Sequence, residues 1–456
     1  MAGKTTADKP TSTAIIVPQT VASGTKFIKV ELNGNTYNYT LPTEKTFESG
    51  HSYSFTLNLT KGLEVNLLSE KINPWTEGTP VEETIENEEV KFRNVTIAGT
   101  LSTLINETDK YSITALKVNG NLNGTDIRVL REMAGRNHEN DATNGKLIYL
   151  DLSEANIVSG GDAYYSSITT EANTMGDVMF QGCNLQNIIL PESVTTLKNG
   201  VFVGNPITSI TIPVNVSEIG DAFAYMPKLY EISVDADNQK YIVEDGCLFR
   251  KDKTELICFP PAKYAKTYSV PNSVTTIRAN AFNLANIEEI IIPDNIKTID
   301  RYTFSQSSRL KSVTLPNSIT RIGQNAFERC SNLTSITLPN SITQIERCAF
   351  QYCSNLTSIT LPTNESFTTI ENGIFSFCIN LTSITIGSNI TAIKPGGFEG
   401  CSKLKEVHCL GTTPPTADVS SFWGIPSDAV LYVPKGSKAA YEEATIWKDF
   451  ATIVEE

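Results

Sequence analysis

Apolar and polar residues alternate along NLTSITLP, with Leu333, Ile336 and Leu338 on one side and Ser335 and Thr337 on the other. A period of two is the mark of a strand with one buried face. Pro339 closes this strand, because proline has no amide for a ladder. The following SITQI supplies a second short apolar pair, Ile342 and Ile345. CAFQYCSNL then turns back as a short helical or 3₁₀ segment with Phe350 as its large inward residue. The whole unit recurs: the decapeptide CSNLTSITLP starts at Cys330 and again 23 positions later at Cys353.

Aligned on the proline, the copies are LPESVTTLKNGVF, IPVNVSEIGDAF, VPNSVTTIRANAF, IPDNIKTIDRYTF, LPNSITRIGQNAF, LPNSITQIERCAF and LPTNESFTTIENGIF. An eighth copy, IGSNITAIKPGGF, has Gly387 in place of proline. Pro271, Pro293, Pro316, Pro339 and Pro362 are spaced 22, 23, 23 and 23, and two extra residues lengthen the step to Gly387 to 25. A period in the low twenties predicts a solenoid of the leucine-rich type. One such unit leaves an unpaired strand edge on each side and an apolar face it cannot bury alone. Stacked copies satisfy both, so each repeat is its neighbour's core. Phe202, Phe223, Phe282, Phe304, Phe327, Phe350, Phe375 and Phe398 are expected to stack as one continuous spine, and a once-per-repeat Phe in an apolar motif reads as core rather than as an aromatic binding box.

Residues 234–270 break the rhythm. Asp245-Gly246 lies between YIV and CLF, a strong signal for a two-residue hairpin loop, and Lys251 to Thr254 turns CLFR back onto ELICF. The expectation is a small hairpin insertion projecting from the coil. DADNQK within it superficially resembles a calcium loop but lacks the Gly at position 6 and Glu at position 12 that such a loop uses.

A solenoid needs caps. Residues 90–189, with the strand KLIYLDLSEANI and a helix around DIRVLREMAG that carries Leu130 and Met133 on one face and stops at Gly135, form the expected N-terminal cap, and residues 190–408 the repeats. In residues 409–456 the strand LYVP, a short helix with Ser437 as N-cap, and Trp423, Trp447 and Phe450 form the C-terminal cap. Between a 1–20 tail and a 76–89 acidic linker, residues 21–75 read as a small antiparallel β-domain: KFIKVELNGNTYNYTLP is a hairpin around Asn33-Gly34, and HSYSFTLNLT alternates throughout. The fold class is therefore mainly β, a leucine-rich repeat solenoid with short helical or 3₁₀ turns, preceded by that domain.

Composition narrows the function. The 456 residues carry a net charge of -13, which argues against nucleic-acid or anionic-membrane partners, since both require clustered Lys and Arg. No run of 18 apolar residues exists, so no transmembrane segment is expected. MAGKTTADKP leads straight into polar sequence without a signal peptide, which fits a cytosolic protein or a chain with a trimmed start. Of the nine cysteines, Cys183, Cys330, Cys353, Cys378 and Cys401 follow a motif Phe by three residues. Equivalent Cβ atoms in stacked coils stand about 4.8 Å apart, whereas a disulfide needs about 3.8 Å, so these are expected to be free, buried thiols.

The repeat unit LPxSxTxIxxxAFxxCxxLxxI, the variant DGCLFRKDKTELICFP and the ending LYVPKGSKAAYEEATIWKDF resemble the BspA-like leucine-rich repeat family over residues 90–456. YNYTLP, FESGHSYSFTLNL and INPW, within 21–75, resemble part of a fimbrillin-like adhesin domain. The resemblance implies a secreted or cell-surface protein of the Bacteroides type, anchored as an outer-membrane lipoprotein, that attaches to fibronectin, fibrinogen or other bacteria.

No enzyme is expected. His51, His138 and His408 are scattered, and GxSxG, HExxH and Walker A patterns are absent. Asp151, Glu154 and Asp162 read as polar residues of a strand end and loop. No cofactor and no metal are expected. The candidate binding face is the outward side of the long strands, where Ser312, Thr314, Ser335, Thr337, Ser358, Thr360, Ser383 and Thr385 form a flat column of hydroxyls extending to Glu231, Glu289 and Glu406. Such a column accepts a protein or glycan surface, or is simply a solvated face chosen for strand propensity. Three roles are compatible with this: a monomeric surface adhesin or interaction scaffold for a protein or glycan ligand on host or bacterial surfaces, a structural component of a fimbria, and a carbohydrate-binding accessory protein.

Overall fold

Each repeat forms one three-sided coil. The first side is the long strand, as in Asn286–Ile291 or Ser383–Ile386. Its terminal proline opens a tight turn: the amides of Ile296, Ile319 and Ile342 reach back to the carbonyls of Pro293, Pro316 and Pro339 at 3.1–3.2 Å. Gly387 fills the same role for Ile390 at 3.0 Å, which is why the eighth copy tolerates the loss of proline. The second side is a two-residue strand, such as Thr298–Ile299, Arg321–Ile322 and Gln344–Ile345, paired in parallel with its neighbours. The computed structural model describes residues 90–456 in full and, ahead of them, the backbone of the strands Gln19–Val21, Lys26–Leu32, Asn35–Thr40, Lys45–Phe47, His51–Leu59 and Val65–Pro74.

The third side is the returning segment, and here alternate amides take turns. Those of Ala326, Glu328 and Cys330 bond three residues back, as in a 3₁₀ helix, to Gly323, Asn325 and Phe327. Those of Asn325, Phe327 and Arg329 instead cross to Arg347, Ala349 and Gln351 of the next coil. The short helical or 3₁₀ segment expected from CAFQYCSNL is present as these three-residue-back bonds, but it does not run on as a continuous helix, because two residues per coil, such as Asn325 and Arg329 or Cys348 and Tyr352, sit at φ of 55–60° and turn their amides towards the neighbouring coil. True helices lie in the caps: Leu101–Leu104, Glu107–Lys110, Gly124–Met133 and Lys438–Glu443, with a 3₁₀ turn at Trp447–Asp449.

Inside the coils Leu333, Ile336, Leu338, Ile342, Ile345 and Phe350 are all buried, as the alternation requires. Phe259, Phe282, Phe304, Phe327, Phe350, Phe375, Phe398 and Phe422 form a column of stacked rings with centroids 5.1–5.7 Å apart. The spine thus differs from expectation at both ends. It gains Phe259 and Phe422, while Phe202 and Phe223 are buried in a separate core that runs from Val95 to Cys258. The hairpin divides the two cores. Asp245 and Gly246 adopt φ of 48° and 71°, the left-handed pair of a tight two-residue loop. The hairpin does not project. Cys247 and Phe249 pack into the second core and Leu248 into the first, so Cys247–Arg250 is buried on both faces and acts as a partition. Side chains bridge the interrupted ladders, with Asn238 Nδ2 donating to the carbonyls of Pro213 and Val216 at 2.8 and 3.0 Å.

The repeated cysteines fill the gap beside the spine. Cys330, Cys353, Cys378 and Cys401 are fully buried thiols. Each Sγ donates to the carbonyl of Phe304, Phe327, Phe350 or Phe375 in the preceding coil at 3.1–3.2 Å. Burial pushes all four thiols up, that of Cys401 to about 12. The thiolate, the reactive form, is thereby suppressed. Thiol titration is expected to find these four silent in the folded protein and reactive after denaturation; a disulfide at any of them by mass spectrometry contradicts the packing.

At the N-terminal cap, Asn123 and Asp126 form a capping box on Gly124–Met133, and Leu130 and Met133 are buried as read from sequence. The cap sheet ends where Tyr149–Asp151 pairs in parallel with Asn187–Ile189; the next long strand, Ser209–Ile212, pairs with Glu231–Val234 in a separate sheet. At the other end Trp447 packs edge-on against Phe422 and Tyr441, and Phe450 joins them. Trp423 does not cover the last coil; it is 66% exposed. Ser437 precedes the helix Lys438–Glu443 but makes no side-chain cap, its hydroxyl donating instead to the Pro434 carbonyl at 2.6 Å.

The chain divides into two compact units, residues 1–89 and 90–456. In the first, Lys26–Leu32 pairs antiparallel with Asn35–Thr40 across Asn33-Gly34, and His51–Leu59 pairs antiparallel with Val65–Pro74. Residues 1–18 of the tail and the 76–89 linker lie outside the described residues, whereas Gln19 and Thr20, expected as tail, belong to the strand Gln19–Val21 paired antiparallel with Lys45–Phe47.

Candidate binding surface

The outward side of the long strands is a surface built by repetition rather than by single loops. Ser312 and Thr314 flank buried Val313, and Ser383 and Thr385 flank buried Ile384. Ser335, Thr337, Ser358 and Thr360 are exposed around buried Ile336 and Ile359, and of the whole set only Ser383 is half-buried. Register aligns them. Thr314 stands opposite Ile291, parallel bridges join Thr337 to Thr360 and Thr360 to Thr385, and Thr385 stands opposite His408 and thereby Tyr432. In the neighbouring column Ser312 faces Glu289 and Ser383 faces Glu406. Glu231 pairs with Ser209 in a separate stretch of sheet ahead of the partition.

One detail departs from the strand pattern. Between the coils of Thr337, Thr360 and Thr385 the pairing shrinks to a single bridge at each step, among the described residues none joins Thr314 to Thr337, and the neighbouring amide bonds, Thr357 to Thr334 and Thr382 to Thr357, are long at 3.2 and 3.3 Å. The alternation of burial survives because it is set by the side chains.

Sequence reading missed a third column. Asn355 donates to Asn332 at 3.3 Å, Asn380 to Asn355 at 3.2 Å, and Lys403 to Asn380 at 2.7 Å. The signal was present in SNL, SNL and INL. The middle of the face is therefore neutral hydroxyl and amide, and its ends are charged and aromatic. At one end Glu288 accepts from Lys311 at 2.8 Å and from the Tyr264 hydroxyl at 3.1 Å, and the Arg309 guanidinium lies over the Tyr264 ring. The hydrogen bond from Lys311 holds the Glu288 carboxyl below its usual range. At the other end Lys405 pairs with Asp428 at 3.0 Å, and His408 stacks on Tyr432 with its Nδ1 3.0 Å from Glu456.

Of the groups that suggest chemistry, Asp151 and Glu154 meet at Lys117, 3.8 and 2.6 Å from its Nζ, and the histidines and Asp162 lie apart from them. His138 bonds to Arg128 in the N-terminal cap, His408 lies on the sheet face, and the side chain of His51 is outside the described residues. Glu154 is tied to Lys117 at 2.6 Å and to Asn119 at 2.7 Å, while Asp162 sits apart on Gly160–Tyr165. In the DADNQK loop the Asp235 carboxylate accepts from the Asp237 amide, and Asn238 serves as the structural bridge already described. Among the described residues no three His, Cys, Asp or Glu side chains are grouped to hold a metal, and no helix is long and apolar enough to cross a membrane.

Comparison with known proteins agrees with this architecture. A family model for the BspA type leucine rich repeat region matches residues 163–260 and 275–405 in six copies, pausing within the expanded repeat. A fimbrillin-like model matches residues 2–75. No curated protein matches the chain. Similar solved structures include a leucine-rich repeat protein from Eubacterium ventriosum, 21% identical over 70% of this chain and 84% of its own, with a TM-score of 0.47. The pneumococcal vaccine antigen PcpA is 15% identical over 77% of this chain and 82% of its own, TM-score 0.39. A leucine rich cell surface protein from Faecalibacterium prausnitzii is 16% identical over 90% and 94%, TM-score 0.33.

Proposed function

Since this chain belongs to the BspA-type leucine-rich repeat family, we propose that it is a non-catalytic cell-surface adhesin or interaction scaffold that engages its ligand through the outward face of the long strands. The observation that carries this reading is the outward field of Ser312, Thr314, Ser335, Thr337, Ser358, Thr360, Ser383 and Thr385, all but half-buried Ser383 exposed and bridged in register from Thr337 through Thr360 to Thr385, with Asn332, Asn355 and Asn380 beside it. Flat surfaces of this kind bind through many weak contacts, of which a few central ones dominate. The aromatic and charged residues at its borders, Tyr264, Arg309 and Tyr432, are the types that anchor protein interfaces. The ligand is a protein or glycan of host matrix or bacterial surfaces, and the protein acts as a monomer at the outer surface of the cell, where lipid attachment ahead of the repeats would hold it.

The fimbrillin-like match over residues 2–75 supports a second reading, in which that segment assembles into a fimbria and the repeats form its exposed arm. The two readings separate in one assay. Immobilised fibronectin, fibrinogen and bacterial surface extract are each probed with the full chain and with residues 90–456. Retention of binding by residues 90–456 is expected; binding that requires residues 2–75, together with polymerisation of the full chain, favours the fimbrial role.

A further inference from the structure

The ladder of short strands is interrupted between Thr276–Ile277 and Thr298–Ile299 and again between Gln344–Ile345 and Thr369–Ile370, and the second interruption is one that no other part of the function uses. Their parallel ladder runs through Thr298–Ile299, Arg321–Ile322 and Gln344–Ile345, stops, and resumes at Thr369–Ile370, Ala392–Ile393 and Thr416–Ala417. In unbroken coils two amides cross to the preceding coil: Thr343 to Thr320 and Glu346 to Ile322, or Thr391 to Thr368 and Lys394 to Ile370, at 2.8–2.9 Å. Among the described residues the corresponding bonds from Thr368 to Thr343 and from Glu371 to Ile345 are missing. A groove of about 330 Å³ opens at the break, lined by Thr343, Gln344, Ser366, Thr368, Thr369 and Glu371.

The cause lies in the two extra residues of LPTNESFTTI. Asn364 Nδ2 donates to the carbonyls of Asn340 and Ile342 at 2.9 and 2.7 Å, and its Oδ1 accepts from the amides of Ser366 and Phe367 at 3.0 and 3.1 Å. Asn340 Oδ1 accepts from the Thr363 amide at 2.7 Å. Phe367 fills the buried position that Ile319, Ile342 and Ile390 hold in other coils. The coil is thus pinned in its widened form by side-chain bonds, and the opening is held ready.

We propose that this seam is a subsite for one neutral sugar residue of a glycan. Its volume falls in the range of small-ligand sites. The two open carbonyls, the two open amides and the Ser and Thr hydroxyls offer donors and acceptors in balance, as a ring of sugar hydroxyls requires. The Glu371 carboxylate adds a strong acceptor for a pair of hydroxyls. The absence of Lys or Arg in the lining disfavours phosphate or sulfate, and a lone carboxylate is too few for calcium.

Saturation-transfer NMR on the full chain with glucose, galactose, mannose, N-acetylglucosamine and N-acetylgalactosamine tests this. Signal transfer to at least one sugar is expected. Two variants should weaken it by at least about tenfold, equivalent to about 1.4 kcal/mol: Thr369→Arg, which fills the groove, and removal of Thr363 and Glu365, which restores the 23-residue step and closes the ladder. If the shortened chain fails to fold, Thr369→Arg decides alone. Because the seam is on the short strands, Thr337→Arg/Thr360→Arg should keep the signal, so failure here is separable from failure of the long-strand reading. No transfer to any of the sugars, or transfer unchanged in folded Thr369→Arg, overturns the proposal.

Discussion

Phe350→Ala is expected to lose about 3–5 kcal/mol of stability, the usual cost of emptying a buried phenylalanine site. The ring lies between Phe327 and Phe375 at 5.1 and 5.7 Å and has no exposed surface. The coil backbone around it is bonded to the preceding coil through Thr343 and Glu346 and to the following coil through Cys348, Phe350 and Tyr352, so the cavity has little freedom to collapse. Phe350→Leu keeps most of the volume and should cost less than about 1.5 kcal/mol. Because each coil touches only its neighbours, hydrogen exchange should quicken most in the coils of Phe327, Phe350 and Phe375 and little in the N-terminal cap. A loss below about 1 kcal/mol for Phe350→Ala, the size of an average substitution, contradicts the spine.

A second large effect is expected at Arg131. This side chain is completely buried in the helix Gly124–Met133 and has no carboxylate partner among the described residues. Its guanidinium donates to the carbonyls of Met179 and Val178 at 2.8 and 3.2 Å and of Asn137 at 3.2 Å, and lies over the Tyr165 ring. Burial drives its pKa down, yet arginine stays charged, so the carbonyls are what compensate the charge. Arg131→Ala leaves the Met179 carbonyl without its hydrogen bond inside the cap, while the carbonyls of Val178 and Asn137 keep the amides of Gln181 and Asn140. One orphaned acceptor costs about 1–3 kcal/mol, and emptying a fully buried site adds a cavity, so a total of about 3 kcal/mol is expected. Arg131→Lys restores the charge but not the fork and should recover only part of it. Denaturant melts monitored together with exchange of the cap amides measure both; a near-neutral Arg131→Ala shows that the cap does not depend on this side chain.

Arg131 also marks where sequence reading stops. Leu130 and Met133 were legible as a buried face because apolar residues declare their side of a helix, whereas an arginine in the same turn reads as solvent-facing. The repeats were legible because one proline and one phenylalanine per unit fix the turn and the core. The return segment was less so. Arg329, Tyr352 and Phe377 hold left-handed backbone without being turn formers, and the hint lay in Gly182, Gly204 and Gly400 at the equivalent place in other coils. Gly400 has a further reason to be glycine: a Cβ there would meet the Phe377 ring at 2.6 Å. The hairpin turn was plain in Asp245-Gly246, but the partition was not. Its signal was the unbroken apolar run Cys247-Leu248-Phe249, since a strand covered on both faces does not alternate. The seam at Thr369 was visible only as a step of 25 instead of 23; its consequence depended on how Asn364 resolves the extra length.

The hydroxyl columns were legible as outward positions, and their register and exposure follow from the fold. Recognition through them is tested most directly by Thr337→Arg/Thr360→Arg. Both side chains point to solvent at the centre of the face, so the double variant should melt like the parent. In the assay with immobilised fibronectin, fibrinogen and bacterial surface extract, it should lose at least about tenfold in affinity, or about 1.4 kcal/mol, for whichever surface the parent binds. A folded double variant that binds like the parent, alongside a chain lacking residues 21–75 that no longer binds, contradicts the account and assigns recognition to the N-terminal β-domain, with the repeats as its stalk.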